Sequence, residues 1–207
     1  QNNGDGTFTN VTKSAGVFNP NGKGMMAVWS DYNDDGNLDL FVANDGTENF
    51  LYQNNGDGTF TDIAWIAGVE NDDQGNPQGS MGIDFADYNN DGMFDLIITN
   101  FQRQLNMLYR NDGDGLFSDT TFTAGLGYTL PYVSWGIGFF DFDNDSFRDI
   151  FIANGHIQDH IELYDSSTTY LQPNHLLINN KGSNFMNVSD QFYLGGLNAS
   201  RGVAFGD

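Results

Sequence analysis

A nine-residue segment rich in aspartate occurs three times in this chain, at intervals of 56 and 54 residues. The copies read DYNDDGNLD from Asp31, DYNNDGMFD from Asp87 and DFDNDSFRD from Asp141, and Asp207 stands where a fourth copy would begin. Carboxylates this close together repel one another unless a positive charge lies among them. Because the chain has 7 Lys and Arg against 28 Asp and Glu, its own cations cannot supply that charge, and the segments predict bound metal ions.

Two further markers recur in a fixed order around these aspartate loops, so the chain is an array of repeats. An apolar segment precedes each loop and reads GMMAVWSD, SMGIDFAD, WGIGFFD or RGVAFGD. A turn rich in Asn and Gly, followed by Phe, reads QNNGDGTF (twice), RNDGDGLF or INNKGSNF. The repeating unit is therefore roughly 55 residues long, close to the span of one propeller blade.

Short apolar segments between the markers predict strands. LDLFVAN, FDLIITN and RDIFIAN follow the loops and are typical of strands buried on both faces. ENFLYQN, LNMLYRN and NHLLINN then lead into the Asn/Gly turns, which indicate hairpins, and FTDI or FSDT closes the unit. We therefore predict an all-β fold of β-propeller blades with about four antiparallel strands each.

The repeats divide the chain into roughly three and a half blades of one propeller segment spanning 1–207. We expect the late part of a blade at 1–24, repeats at 25–80 and 81–133, a longer repeat at 134–200 and the start of another at 201–207. Since a propeller closes with about four to eight blades, this predicts a segment of a longer protein or a ring completed by something else.

The composition excludes several classes of partner. A net charge of −21 argues against nucleic acid and against docking on anionic membranes. No apolar stretch reaches the length of about 18 residues that predicts a bilayer-spanning helix, so we expect no membrane insertion. The 18 Phe, 9 Tyr and 3 Trp indicate a packed core despite the charge.

The spacing of oxygen-bearing residues in the loops is that of a calcium site. Side chains at positions one, three, five and nine, and the backbone carbonyl at position seven, can surround one ion, while glycine at position six permits a sharp turn. We therefore predict about three Ca²⁺ ions that tie the strands of each blade together. The predicted ligands are Asp31, Asn33, Asp35, Asn37 and Asp39; Asp87, Asn89, Asp91, Met93 and Asp95; and Asp141, Asp143, Asp145, Phe147 and Asp149.

The main alternatives to this calcium assignment are an EF-hand and an ordinary polar turn. An EF-hand needs Glu at position twelve and flanking helices, but that position is Val42, Ile98 or Ile152 in an apparent strand. Ordinary Asp/Asn/Gly turns are common singly, yet three copies in register disfavour them. The absence of His and Cys from the loops disfavours transition metals. Ser146 replaces the loop glycine of the third copy, which predicts a strained turn.

The loops and their flanks resemble the FG-GAP/VCBS repeats of integrin-like calcium-binding β-propellers. VAFGD at 203–207 contains the Phe-Gly of that name, and LYQNNGDGTFTDIAWIAGV with FIANGHIQDHIELYDSSTTYLQPNHLLINN resembles the ASPIC/UnbV-associated, cartilage acidic protein-like family. This resemblance implies a seven- or eight-bladed propeller, secretion, and a role in adhesion or matrix association.

A few other residues are candidates for function. On a helix, His156 and His160 would share a face and could bind zinc. The preceding strand and Gly155 favour a loop instead. Trp29, Trp65 and Trp135 can stack on sugars, although packing between blades is the favoured role of Trp29 and Trp135, which both precede aspartate loops. The sequons at Asn10, Asn187 and Asn198 would accept glycans in a secreted eukaryotic protein.

The sequence contains no recognisable nucleophile motif, so we predict a protein that is not an enzyme. The leading hypothesis is a secreted, extracellular or cell-surface binding or adhesion module with a protein or glycan ligand. The alternatives are a subunit that self-assembles into an extracellular filament or matrix, and, less favoured, an enzyme acting on polysaccharides.

Overall fold

The computed structural model describes residues 1–192 and 194–206, which form a nearly all-β structure of three four-stranded antiparallel sheets. Asp207, the predicted start of a fourth loop, lies outside the described residues. The first sheet contains β1 (Gly24–Ser30), β2 (Asp39–Asn44), β3 (Phe50–Asn54) and β4 (Phe60–Asp62). The second contains β5 (Ile83–Ala86), β6 (Asp95–Ile98), β7 (Met107–Gly113) and β8 (Leu116–Asp119).

The third sheet contains β9 (Ser134–Phe140), β10 (Asp149–Asn154), β12 (His175–Asn179) and β13 (Phe185–Asn187). Between β10 and β12, the segment predicted as an insertion contributes β11 (Gln172–Pro173), which pairs with β14 (Leu197–Asn198). Helices are short: α1 (Ala64–Ala67) and 3-10 turns at Leu126–Thr129, Ile161–Leu163 and Ser189–Gln191. The predicted all-β fold of four-stranded propeller blades is confirmed.

The three sheets are joined along their first strands, because β5 contacts both β1 and β9. The Asp84 carboxylate in β5 accepts a hydrogen bond from the Phe139 amide of β9 at 2.8 Å. The approach is close: a Cβ built on Gly82 would lie 2.0 Å from the Trp135 carbonyl oxygen. The inner strands of successive blades therefore pack backbone against backbone.

The hydrophobic core lies between the sheets rather than within one of them. Phe41 and Leu51 of the first sheet pack with Ile83 and Leu96 of the second in one cluster. A second cluster joins the second and third sheets and contains Ile97, Leu108, Ile137, Ile150 and Leu177. Strands such as β6 are buried on both faces, as the unbroken apolar run Leu96–Ile98 predicted.

Trp29 does not show the predicted packing between blades, whereas Trp135 is half-buried. Trp29 is 54% exposed, with its ring 5.9 Å from that of Phe60 in its own sheet. Trp135 donates its indole N–H to the Gly155 carbonyl at 2.7 Å and lies under the Arg201 guanidinium. Trp29 stands two residues before its loop and Trp135 six, so they occupy different places in their repeats. The prediction of burial is wrong for Trp29.

In the described part of the chain, no helix is long and apolar enough to cross a membrane.

His175 is a buried histidine at the start of β12. It is 3% exposed, and its ring contacts those of Tyr128 and Tyr132 edge-on at 5.2 and 4.6 Å. Its Nδ1 accepts a hydrogen bond from the Asn154 side-chain amide at 3.0 Å. Burial lowers the pKa of His175 to about 4, because the charged ring would lose its water.

We expect this histidine to make the fold sensitive to acid. The pKa of His175 is lower in the folded chain than the value of about 6.5 expected in the unfolded chain. The contribution of the neutral ring to the free energy of unfolding is therefore fully present above pH 6.5. It is lost as the pH falls toward 4, by up to about 3 kcal/mol in the free energy of unfolding. The check is urea unfolding between pH 4 and 7 of the natural chain and of His175→Asn, which keeps an acceptor but does not titrate. Equal slopes of stability against pH would contradict the prediction.

Candidate metal centres

Each aspartate loop connects the two innermost strands of its sheet, between β1 and β2, β5 and β6, or β9 and β10. In the first loop, the two oxygens of Asp31 accept the amides of Asp35 and Gly36, both at 3.0 Å. The Asp35 carboxylate accepts the Asn37 amide at 2.8 Å, and the Asn33 side-chain oxygen accepts the Asp35 amide at 3.2 Å. The chain thus coils so that the oxygens at positions one, three and five turn inward.

The second and third loops repeat this pattern. Asp87 accepts the amides of Asp91 and Gly92 at 3.1 and 2.8 Å. In the third loop, Asp141 accepts those of Asp145 and Ser146 at 3.1 and 3.0 Å. The two remaining bonds of the first loop also recur. The amide at position five donates to the side-chain oxygen at position three, and the amide at position seven donates to the carboxylate at position five. The residues are Asn89, Asp91 and Met93 in the second loop and Asp143, Asp145 and Phe147 in the third.

The backbone enters the left-handed region twice in every loop. Position four is Asp34, Asn90 or Asn144, with φ of 56°, 60° and 61°, and Asp and Asn tolerate this region better than other residues with a Cβ. At position six, Gly36 and Gly92 have φ of 84° and 93°, and Ser146 has φ of 76°. The strain that the sequence predicted at Ser146 therefore has a backbone basis.

Ser146→Gly should stabilise the third loop. Glycine adopts positive φ without a Cβ penalty, although it also adds entropy to the unfolded chain, so we expect a net gain of about 0.5–1 kcal/mol in the free energy of unfolding. Thermal or urea unfolding measures it. The reciprocal change at the same loop position, Gly92→Ser, serves as the control and should cost a similar amount. A loss of stability in Ser146→Gly would contradict this account.

The aspartates at position nine differ from the others because they are buried. Asp39, Asp95 and Asp149 begin β2, β6 and β10 and are at most 1% exposed. Burial is the main cause that raises the pKa of each carboxyl, to about 6 for Asp39 and about 7 for Asp95. A buried carboxylate of this kind is costly to ionise unless a cation lies beside it.

The donor set fits a hard divalent cation such as Ca²⁺. Oxygen atoms of Asp141, Asp143 and Asp149 all lie within 4.8 Å of one another. In the first loop, Asp39 Oδ2 is buried without a hydrogen-bond partner, whereas Asp95 and Asp149 receive the amides of Tyr88 and Phe142 at that oxygen. Across residues 1–192 and 194–206, no salt bridge reaches a loop carboxylate.

Three asparagines that sequence reasoning missed support these aspartates. Asn54, Asn111 and Asn179 each donate their backbone amide to Oδ1 of the buried aspartate in the same sheet, at 2.8 Å in every case. The signal was present in the sequence, since each is the Asn that precedes the Asn/Gly turn, in LYQN, LYRN and LLIN.

The structure separates the two histidines of the candidate zinc pair. His156 is 2% exposed and accepts the Gln158 amide at Nδ1, while the His160 side chain is 76% exposed beside Asp159. Burial is the first cause that lowers the pKa of His156. The two histidines do not share a face, and the His156 ring accepts a hydrogen bond within its own loop.

Consecutive four-stranded sheets, each with an aspartate loop between its inner strands, define this chain as part of a β-propeller. Residues 31–98 and 87–152 match the FG-GAP-like repeat. The chain therefore belongs to the family of FG-GAP-like repeat proteins.

Relatives of this chain include cartilage acidic protein 1 from several vertebrates. Those of Xenopus tropicalis and Homo sapiens are each 34% identical over 118 residues, which make up 56% of this chain and 17% of each relative. The chain therefore matches only a small part of these relatives. Among solved structures, an Agrocybe aegerita lectin described as recognising non-reducing terminal N-acetylglucosamine aligns over 95% of this chain and 47% of its own, with 21% identity and a TM-score of 0.49.

Proposed function

We propose that this chain is a calcium-stabilised propeller segment of a secreted or cell-surface protein and acts as a non-catalytic binding or adhesion module. The observation that carries the proposal is the threefold repetition of one hydrogen-bonded loop geometry. In the third of these loops, three carboxylate oxygens also converge within 4.8 Å of one another. An extracellular location agrees with the names of the cartilage acidic protein relatives.

Calcium stoichiometry is the direct test. Native mass spectrometry of the chain in millimolar calcium should show about three ions. Asp91→Asn should remove one, because it lowers the charge of the second loop, whereas Asp57→Asn should remove none. Asp57 is a suitable control because it lies in an Asn/Gly turn, where it accepts the Thr59 amide at 2.9 Å. Absence of bound calcium in the natural chain would overturn the proposal.

The outer helix of the first blade presents a candidate binding surface. Ala64 and Ala67 anchor α1 in the core at 1% exposure, and Trp65 and Ile66 are left 78% and 65% exposed. This is the reverse of the usual pattern, in which large apolar residues of a short helix face inward. Trp is among the residues enriched at interaction hot spots, so Trp65 is a candidate contact residue.

The wall beside Trp65 is acidic. Glu70, Asn71, Asp72 and Asp73 line the same depression as the indole. Burial and then the charges of Asp62 and Glu48 raise the pKa of Glu70, in keeping with strongly negative surroundings. Ionised carboxylates only accept hydrogen bonds, so a ligand that contacts Glu70, Asp72 and Asp73 must donate to them. We expect a neutral or amine-bearing glycan, or a basic segment of an extracellular protein, and no sulfated or uronic glycan.

A glycan array and a basic-peptide array distinguish these ligands. Binding should fall at least tenfold in Trp65→Ala and persist in Phe122→Ala. Phe122 occupies the same place in the next repeat and is 74% exposed, but it does not line the acidic depression. If both variants bind like the natural chain, the Trp65 surface is not the binding site.

The alternative functions give different outcomes. A subunit of an extracellular filament or matrix would form polymers in negative-stain images, where a binding module gives discrete particles. An enzyme acting on polysaccharides would release products in a hydrolase or lyase screen. Turnover that persists through purification would overturn the non-enzymatic assignment.

A further inference from the structure

Asn111 connects the aspartate loops of two neighbouring blades. It lies in β7 and is 2% exposed. Its backbone amide donates to Asp95 of the second loop at 2.8 Å, and its side-chain amide donates to the Tyr32 carbonyl, which lies 79 residues away in the first loop, also at 2.8 Å. The same side chain donates to the Phe94 carbonyl at 3.1 Å and accepts the Gly113 amide at 3.0 Å. The nitrogen and the oxygen of the buried Asn111 side-chain amide are therefore both hydrogen-bonded.

Asn179 makes the same connection between the second and third loops. It is 3% exposed, donates its backbone amide to Asp149 at 2.8 Å, and donates its side-chain amide to the Tyr88 carbonyl at 2.8 Å. The Asn90 side chain adds a direct bond to the Ser146 carbonyl at 3.3 Å. The arrangement thus occurs at both junctions between complete blades.

Asn111 and Asn179 are each hydrogen-bonded to two neighbouring candidate metal centres. Tyr32 and Tyr88 directly follow Asp31 and Asp87, the first ligands of their loops. Asp95 and Asp149 are the last ligands of the next loops. We propose that Asn111 and Asn179 are positioning residues that couple neighbouring calcium sites, so that filling one site raises the affinity of the next. This inference rests on the proposed calcium binding.

The physical basis is the cost of leaving buried polar groups unpaired. An ion that fixes Asp95 also fixes the Asn111 backbone, and the Asn111 side chain then holds the Tyr32 carbonyl and the first loop in place. If the first loop were loose, the carbonyl and the amide would lose their bond in a buried environment. A second ion therefore binds to a loop that is already ordered, which gives positive coupling.

Asn54 provides the matched control. It makes the same bonds within its own blade, from its amide to Asp39 at 2.8 Å and from its side chain to the Leu38 carbonyl at 3.0 Å. No hydrogen bond joins its side chain to another blade among the described residues. Asn54→Ala therefore removes only side-chain bonds within one blade, and Asn111→Ala removes similar side-chain bonds together with the connection between blades. Both variants keep the backbone amide that donates to the buried aspartate.

The test is a double-mutant cycle read by NMR. Calcium is titrated into ¹⁵N-labelled chain, and the amides of Gly36 and Gly92 report the first and second loops separately. Disabling the second loop with Asp87→Asn and Asp91→Asn should weaken calcium binding at the first loop by about 5–20-fold in the natural background. In Asn111→Ala the same change should have no effect on the first loop, and in Asn54→Ala the coupling should persist.

The outcomes separate the two proposals. If neither glycine amide responds to calcium, the proposed calcium binding fails. If both respond but disabling the second loop leaves the first unchanged in the natural chain, calcium binding stands and the coupling is wrong. The coupling is also wrong if it survives in Asn111→Ala. Should Asn111→Ala not fold, Asn179→Ala with Gly92 and Phe147 as reporters tests the same connection at the other junction.

Discussion

Removal of calcium is expected to lower the midpoint of thermal unfolding of this chain by about 15–30 °C. At a free calcium concentration one hundred times the dissociation constant, each ion stabilises the folded state by about 2.7 kcal/mol, so three contribute about 8 kcal/mol. That is comparable to the whole stability of an ordinary domain. For a chain of this length, each kcal/mol corresponds to about 2–4 °C.

The measurement is differential scanning calorimetry with excess calcium and with EDTA. The calcium complex of EDTA, added at the same concentration, controls for effects of the chelator itself, and restoring calcium should restore the midpoint. Magnesium should restore it only in part, because Mg²⁺ gives up its water reluctantly and fits an all-protein cage less well. An unchanged midpoint in EDTA would mean that the loops are solvated turns.

Gly82→Ala is expected to destabilise the fold strongly, because it forces two neighbouring blades apart. The added Cβ would lie 2.0 Å from the Trp135 carbonyl oxygen and 2.9 Å from Thr99 Oγ1. The closer clash is with a backbone atom of the neighbouring blade. It can therefore be removed only if β5 and β9 move apart. We expect a loss of about 3–5 kcal/mol in the free energy of unfolding, which is more than overpacking usually costs.

Urea unfolding in excess calcium measures this loss. Gly24→Ala is the matched control, since Gly24 begins the inner strand of the first sheet and its added Cβ would meet Val42 at an ordinary 3.5 Å. It should change stability by less than about 1 kcal/mol. If the two variants are equally stable, the close approach of the inner strands is not important for stability.

The fold could be predicted because its signals are local and repeated. Three aspartate loops in register, the apolar runs after them and the Asn/Gly turns determine strand order in each sheet without knowledge of long-range contacts. Ser146 at positive φ was predictable for the same reason, since only the loop position matters.

The remaining features depend on which residues meet across blades, and periodicity does not encode this. Asn111 and Asn179 have the same place in their repeats and each reaches the loop of the preceding blade, but the repeat pattern does not show which backbone carbonyl the side chain meets. Trp29 aligns with Phe85, which packs against Phe41 in the core, but Trp29 is exposed. Phe85 meets the sheet that precedes its own, whereas no four-stranded sheet precedes that of Trp29 among the described residues.

The aspartate loops connect the innermost strands of each sheet, whereas the outer hairpins are closed by turns that hold themselves together. In the first sheet, the turn between β3 and β4 is held by hydrogen bonds among Asn55, Asp57 and Thr59. Weakening the aspartate loops should therefore open a blade from the inside outward. Hydrogen exchange in EDTA would show amides of β5 losing protection before those of β7 and β8. Calcium concentration would then set how long the strands nearest the centre of the propeller stay closed, while the rim of each blade remains folded.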